Sequence, residues 1–303
     1  MATLHNNVVP ASGVIDPITR GVFGGGNANG IKYKIDYITI QTTGNATAFG
    51  SLNVGRSLLA GLADATRGVF GGGYISFGNI NNIIEYITIA STGNSTDFGD
   101  LTVNGRDRVS GLADATRGVF GGGTQDYSTK NTMDYITIQT TGNATDFGDL
   151  TVGRYGTAAC SDDTRGVFGG GEKGSYSNII DYITIASTGN ATDFGDVTVS
   201  RYMIAGLADA TRGVFGGGYN GIRNTIEYIT IQTTGNATDF GDLTVGRYGL
   251  AGLADATRGV FGAGNVWDTT NNIDYITIQT TGNATDFGDV TASRSDLAGL
   301  AGG

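Results

Sequence analysis

Residues able to do chemistry are either scarce in this 303-residue chain or repeated in register. There is one histidine, His5, and one cysteine, Cys160, whereas a zinc site or a thiol–imidazole pair needs several such groups converging. Cys160 stands where Leu253 stands in a later copy of the same stretch, so it reads as a small buried hydrophobe rather than a nucleophile. Carboxylates are plentiful, and pairs such as Asp239 and Asp242 in "TDFGD" have the types that general acid–base work or calcium would require. Almost all of them recur from copy to copy, so no unique acid–base pair stands out, and their spacing is not that of an EF-hand loop. Their simpler partners are the arginines of "TRG", such as Arg212. The chain is expected to be non-enzymatic, with no metal and no other cofactor.

A second charged set repeats as well. Arg56, Arg106, Arg154, Arg201, Arg247 and Arg294 precede one apolar run of each copy, and Asp36, Glu85, Asp134, Asp181, Glu227 and Asp274 begin another. Ion pairs within a copy are the first expectation; a ring of anion-binding arginines is the alternative.

The elements that position these groups follow from the repeat. The tag "RGVFG" begins at Arg20, Arg67, Arg117, Arg165, Arg212 and Arg258, at steps of 46 to 50 residues, which is one supersecondary unit per step. Each unit holds four runs of strand length, illustrated by "YGLAGLAD" (248–255), "TRGVFGGG" (211–218), "IEYITIQ" (226–232) and "TDFGDLTV" (238–245), here termed A, B, C and D. "EYITI" alternates aromatic or Thr with Ile, a pattern of period two, and no helical period is present. Four antiparallel strands at this spacing predict an all-β, six-bladed β-propeller. The pattern resembles the kelch repeat: an Arg before strand A (Arg247), a glycine run ending strand B (Gly216 to Gly218) and aromatics in strands C and D (Tyr228, Phe240). It departs from it in having Phe240 where kelch strand D usually has Trp, and Ala263 where the other copies have Gly.

Strand A occurs once too often, as "ASGVID" near the start and as "LAGLA" at 297–301. An open ring leaves strand edges exposed, so one of the two should close blade one. The C-terminal copy keeps the consensus, whereas the N-terminal one carries Pro10 and Pro17. Residues 1–17 are then an arm, or else the closing strand, and 18–303 the propeller.

Net charge is −10 with a pI near 4.4, which argues against a nucleic-acid partner. The start of the chain lacks a basic and apolar leader, and no apolar run is long enough for a membrane span, so a soluble chain made without a signal peptide is expected. "NAT" or "NST" at Asn45, Asn94, Asn143, Asn190, Asn236 and Asn283 reads as a polar turn before it reads as a glycan acceptor.

The copies differ in the B-to-C loops and at the D-to-A corners, which antiparallel order puts at one end of every blade; the opposite turns, "ADATR" and "TTGNATD", barely vary. Candidate binding residues on that variable face are Tyr33, Tyr74, Phe77, Tyr127, Lys130, Tyr155, Lys173, Tyr176, Tyr202, Tyr219, Arg223, Tyr248 and Trp267. Rigid amphipathic rings on adaptable loops suit recognition; drift of loop sequence, with corner tyrosines capping apolar edges, is the plainer alternative.

Enzymes on similar propellers need parts this chain lacks. Copper radical oxidases imply paired His and Tyr ligands with a crosslinked Cys, and sialidases imply Asp-box turns. The wording "DYITIQTTGNATDFGDLTVGR" is similar to repeats of kelch-like structural proteins of marine bacteriophage virions. That resemblance implies a virion component that contacts host surface glycan or other virion proteins, with homo-oligomers on the particle as a further expectation. An intracellular kelch-like interaction scaffold is the second reading and a glycan-active enzyme the third.

Overall fold

The computed structural model describes residues 19–76 and 79–302. Among them there is no helix, and the strands form six four-stranded antiparallel sheets, each ordered A-B-C-D, with two small two-stranded sheets in the B-to-C loops of blades 2 and 3. The fold is a six-bladed β-propeller. Blade 5 is typical, with strands Ala205–Ala208, Arg212–Gly216, Thr225–Thr230 and Thr238–Asp242. Strand B is shorter than its sequence run, because the glycines after it turn to positive φ (68° at Gly217, 106° at Gly218) and leave the ladder.

The innermost strands, Ala60–Ala63, Ser110–Ala113, Ala158–Ser161, Ala205–Ala208, Ala251–Ala254 and Ala298–Gly302, neighbour one another around the axis. The last of them, from the C-terminal end, pairs with Arg20–Gly24 over a register running from Arg20↔Gly302 to Gly24↔Ala298. Blade 1 is thus assembled from both ends of the chain. The stretch 1–17, expected as an arm or a closing strand, lies outside the described residues.

The core is six clusters, one in each gap between blades. In the first gap Val22, Ile35, Phe49 and Leu52 of blade 1 meet Leu59, Phe70, Ile87 and Ile89, which belong to blade 2 or lead into it. Burying each such side chain contributes about 1.5–3 kcal/mol, so the repeated Phe of strand B holds blades to each other. Glycine makes the contact possible: a Cβ at Gly24 would lie 2.5 Å from the Phe70 ring. Cys160 lies buried in the innermost strand of blade 4, and burial, then Asp162, pushes its thiol up to about 12.

All six expected Arg–carboxylate pairs form within blades: Arg56–Glu85, Arg106–Asp134, Arg154–Asp181, Arg201–Glu227, Arg247–Asp274 and Arg294–Asp36, with the arginines fully or almost fully buried. Their guanidiniums also donate to carbonyls in and just after strand B, as Arg154 does to Phe168 and Gly170. Sealed in the sheets, they do not form an anion-binding ring.

The "TRG" arginines correct an expectation. Arg212 does not reach Asp239 or Asp242; its guanidinium lies 4.1 Å from the Tyr228 ring centroid and donates to the Ile278 carbonyl of the next blade at 2.9 Å. The same stack and cross-blade bond recur around the ring, closing with Arg258 on Ile40. Strand B carries the arginine beside the C-strand tyrosine, so the nearest electron-rich partner is that ring face. The Asn of "NAT" is committed as well: Asn283 Oδ1 accepts the Asp242 amide of the preceding blade.

Candidate functional site

The D-to-A corners and B-to-C loops meet at one end of the ring. The residue after each buried arginine forms a single antiparallel bridge with the residue after the glycine run: Ser57↔Tyr74, Asp107↔Thr124, Tyr155↔Glu172, Tyr202↔Tyr219, Tyr248↔Asn265 and Ser295↔Asn27. A common backbone therefore presents two variable side chains per blade on this face. Blades 1 to 3 present mostly polar groups there, and blades 4 to 6 present aromatic ones.

Those aromatics form one continuous arc. Tyr155 meets Tyr202 edge-on at 6.0 Å between centroids, Tyr176 stacks on Tyr202 at 5.4 Å and 9°, Tyr202 and Tyr176 both meet Tyr219, and Tyr219 meets Tyr248 at 5.1 Å. Arg108, from the corner leading into blade 3, lies 5.4 Å from the Tyr155 centroid. Each edge-on or stacked pair contributes about 0.5–1.5 kcal/mol beyond burial, so the arc is ordered without a ligand. Burial raises the pKa of the Tyr155, Tyr202 and Tyr248 hydroxyls, followed by a hydrogen bond to Glu172 for Tyr155, the Glu172 charge for Tyr202 and the Asp296 charge for Tyr248. They stay protonated at neutral pH, available as donors and acceptors beside ring surface.

Five of the thirteen sequence-predicted residues are joined in this way: Tyr155, Tyr176, Tyr202, Tyr219 and Tyr248. The others stand apart. Tyr33 is half exposed and covers Gly55. Tyr74 lies in the short Tyr74–Ser76 strand of the blade 2 loop, and Phe77 lies outside the described residues. Tyr127 and Trp267 are the most exposed large hydrophobic side chains among the described residues, at 92% and 86%, on the loops of blades 3 and 6. Lys130 is half-buried and Lys173 exposed; Arg223 has a buried Nε without a partner.

One set of residues on this face escaped sequence reasoning. Two positions after each buried arginine stand Leu58, Arg108, Gly156, Met203, Gly249 and Asp296, all at φ between 53° and 62°. Each donates its amide to the carbonyl of the preceding one, from Arg108 to Leu58 round to Leu58 onto Asp296, at 2.7–3.1 Å. This closed circle of six hydrogen bonds lies around the propeller axis. The only hint in sequence was glycine at two of the six positions, Gly156 and Gly249.

The other end of the axis opens into a larger cavity, about 480 Å³, lined by the A-to-B turns. Its carboxylates are already used: Asp64 Oδ1 accepts from the Thr66 amide and hydroxyl and the Arg67 amide, while Oδ2 accepts from Gln139. Asp162, Asp209 and Asp255 repeat the arrangement with Gln232, Gln279 and Gln41. Among the described residues no group of three or more His, Cys, Asp or Glu is placed to hold a metal ion. The four repeated carboxylates of this larger cavity are thus committed to their own turns and to a glutamine. Neither a protein-family model nor a curated protein matches the chain.

Proposed function

We propose that this chain is a non-enzymatic, kelch-like structural and binding propeller of a bacteriophage virion, whose variable face recognises host surface glycan or another virion protein. The observation that carries the binding reading is the tyrosine arc of Tyr155, Tyr202, Tyr176, Tyr219 and Tyr248. Its rings offer apolar faces and its hydroxyls hydrogen bonds, the combination that a sugar ring requires, with C–H groups on one side and hydroxyls around the edge. The frame repeats while this patch does not, and blades 1 to 3 close without such a cluster, so the fold does not require five tyrosines on three adjacent blades. The virion assignment rests on the wording of the repeat.

Two measurements test the parts separately. Mass spectrometry of purified particles should find the chain, and its absence there ends the virion reading. Binding to a glycan array should fall about five- to thirtyfold in Tyr202→Ala and Tyr219→Ala, since removing a stacked aromatic contact costs on the order of 1–2 kcal/mol. Undiminished binding removes the arc from consideration.

A further inference from the structure

Glu172 stands inside the tyrosine arc. Of the six bridged pairs on the variable face, two include a charged residue, Asp107 and Glu172. Asp107 is buried and already answered, by the Arg108 guanidinium at 3.2 Å and by the Thr124 hydroxyl. Glu172 is only half-buried, and none of the ion pairs among the described residues includes it. Lys173, next in the chain, is exposed, and its amide donates to the Ser175 carbonyl at 3.0 Å in the tip of the loop.

Backbone bridges fix its surroundings. Glu172 bridges Tyr155 on one side, through paired hydrogen bonds of 2.9 and 3.1 Å, and Tyr176 on the other. Residues directly opposite across such a bridge project their side chains from the same face. Tyr202 then touches both rings, edge-on to Tyr155 and stacked on Tyr176. The carboxylate thus emerges between tyrosines, and its charge acts on the hydroxyls of Tyr155 and Tyr202. One face of the Tyr176 ring rests on Tyr202, while 36% of the residue stays exposed. The fold does not need a carboxylate here, since the same place holds Tyr219 in blade 5 and Asn265 in blade 6.

Resting on the glycan reading above, we propose that Glu172 and the rings of Tyr155, Tyr176 and Tyr202 bind the free ammonium group of an amino sugar. A carboxylate and the negative faces of aromatic rings both attract a cation, and the net charge of −10 draws cationic ligands towards the protein. The same charges repel a sugar carboxylate or phosphate, and a neutral sugar gains ring and hydroxyl contacts alone. A divalent metal lacks ligands, because it takes about six oxygens or more and no group of three carboxylate, His or Cys residues converges among the described residues. The Arg108 guanidinium, 5.4 Å from the Tyr155 centroid, makes the same kind of contact within the chain, and Asp107 balances its charge.

Calorimetric titration of the full chain compares three oligosaccharides of one linkage, built of glucosamine, N-acetylglucosamine or glucose, below neutral pH where the glucosamine amines are charged. The glucosamine oligomer should bind about five- to tenfold more tightly than the other two. Glu172→Gln keeps the size of the side chain and leaves the backbone bridges in place. In that variant the preference should shrink to about twofold or less, with affinity for the glucose oligomer unchanged. Equal binding of the three sugars overturns the inference and leaves the glycan reading of the arc standing. A preference that survives in Glu172→Gln also overturns it, and assigns the amine to the aspartates of the outer strands. Capped lysine that displaces the glucosamine oligomer as well as free glucosamine does overturns the sugar assignment in favour of a polypeptide side chain. No binding of any of the three overturns this inference and, with a negative array, the glycan reading too. Tyr202→Ala separates the two claims, because it weakens all three sugars, whereas Glu172→Gln weakens only the amino one.

Discussion

Replacing Arg106 with Met tests whether the buried pairs hold the sheets through charge. The Arg106 side chain is fully buried, its guanidinium lies 2.6 Å from the equally buried Asp134 carboxylate, and it also donates to the Thr132 carbonyl at 2.7 Å. Burial lowers the pKa of the guanidinium and raises that of the carboxyl, and in each case the opposite charge is the leading counterweight. Without Arg106, Asp134 keeps only neutral donors, chiefly the Thr102 hydroxyl. Removing one partner of such a pair costs about 3–5 kcal/mol. With an unfolding entropy of about 2.1 cal/mol/K per residue over some 300 residues, that lowers Tm by about 5–8 °C. Arg106→Met with Asp134→Leu should recover most of the loss, because a well-packed apolar pair needs no compensation. The sign of the pH effect follows from the carboxyl. Its folded pKa is raised above the unfolded value of about 3.9, and further raised in the single variant, so stability is present below that value and is lost as pH rises through the folded pKa. Thermal and urea unfolding from pH 4 to 8 measure this. If the single variant loses less than about 1 kcal/mol at pH 7.5, or the double variant gains nothing over it, the charge account is refuted and backbone stitching replaces it.

Deleting residues 298–303 removes the strand that closes blade 1 and its Leu300, buried to 4% exposure; a loss of more than about 3 kcal/mol is expected, and an unchanged melting temperature would falsify its part in closure. Asp296→Asn should stabilise the free protein by up to about 3 kcal/mol at pH 8 and change little at pH 4, because a carboxyl raised from about 3.9 to about 6 costs stability progressively between those pH values and in full above them; equal effects at both pH values, read by urea unfolding, count against the buried-carboxylate account. Cys160 should resist thiol reagents at pH 8 until the chain unfolds, since burial and Asp162 hold its pKa near 12; labelling at native-state rates typical of an exposed thiol contradicts its placement.

The architecture was legible because every framework position is written six times. The period, the alternation in "YITI" and the turn at "TTGN" each pointed to the same four-strand unit, and the structure has that unit six times over. The buried Arg–carboxylate pairs were legible for the same reason: both members recur, and antiparallel order alone brings their ends together. Arg212 was misplaced because its partner is a ring face and a carbonyl of the next blade. Neither leaves a complementary charge in the sequence to find, whereas Asp239 and Asp242 did offer one, falsely.

The variable face was half legible, and the reason is geometric. Copies adjacent in the chain are adjacent in the ring, so tyrosines clustered between 155 and 248 in sequence had to fall on neighbouring blades. Whether their rings would touch depended on the bridges that fix each side chain's direction, and those are backbone features. Trp267 and Tyr127, chosen for their type, stand instead far out on the loops of blades 6 and 3. The axial circle was barely legible, its one trace being glycine at Gly156 and Gly249. Its six positions carry Leu, Arg, Gly, Met, Gly and Asp, which in a linear comparison look like loss of constraint. What they share is a left-handed backbone, and only ring closure brings Asp296, near one end of the chain, between Gly249 and Leu58. A propeller frees such a position from packing, because its backbone bonds satisfy the fold whichever side chain stands there. One carboxylate at six positions, two of them glycine, is therefore a difference the frame tolerates without requiring, which is why a comparison of the copies along the chain reads as noise what ring closure gathers at one place.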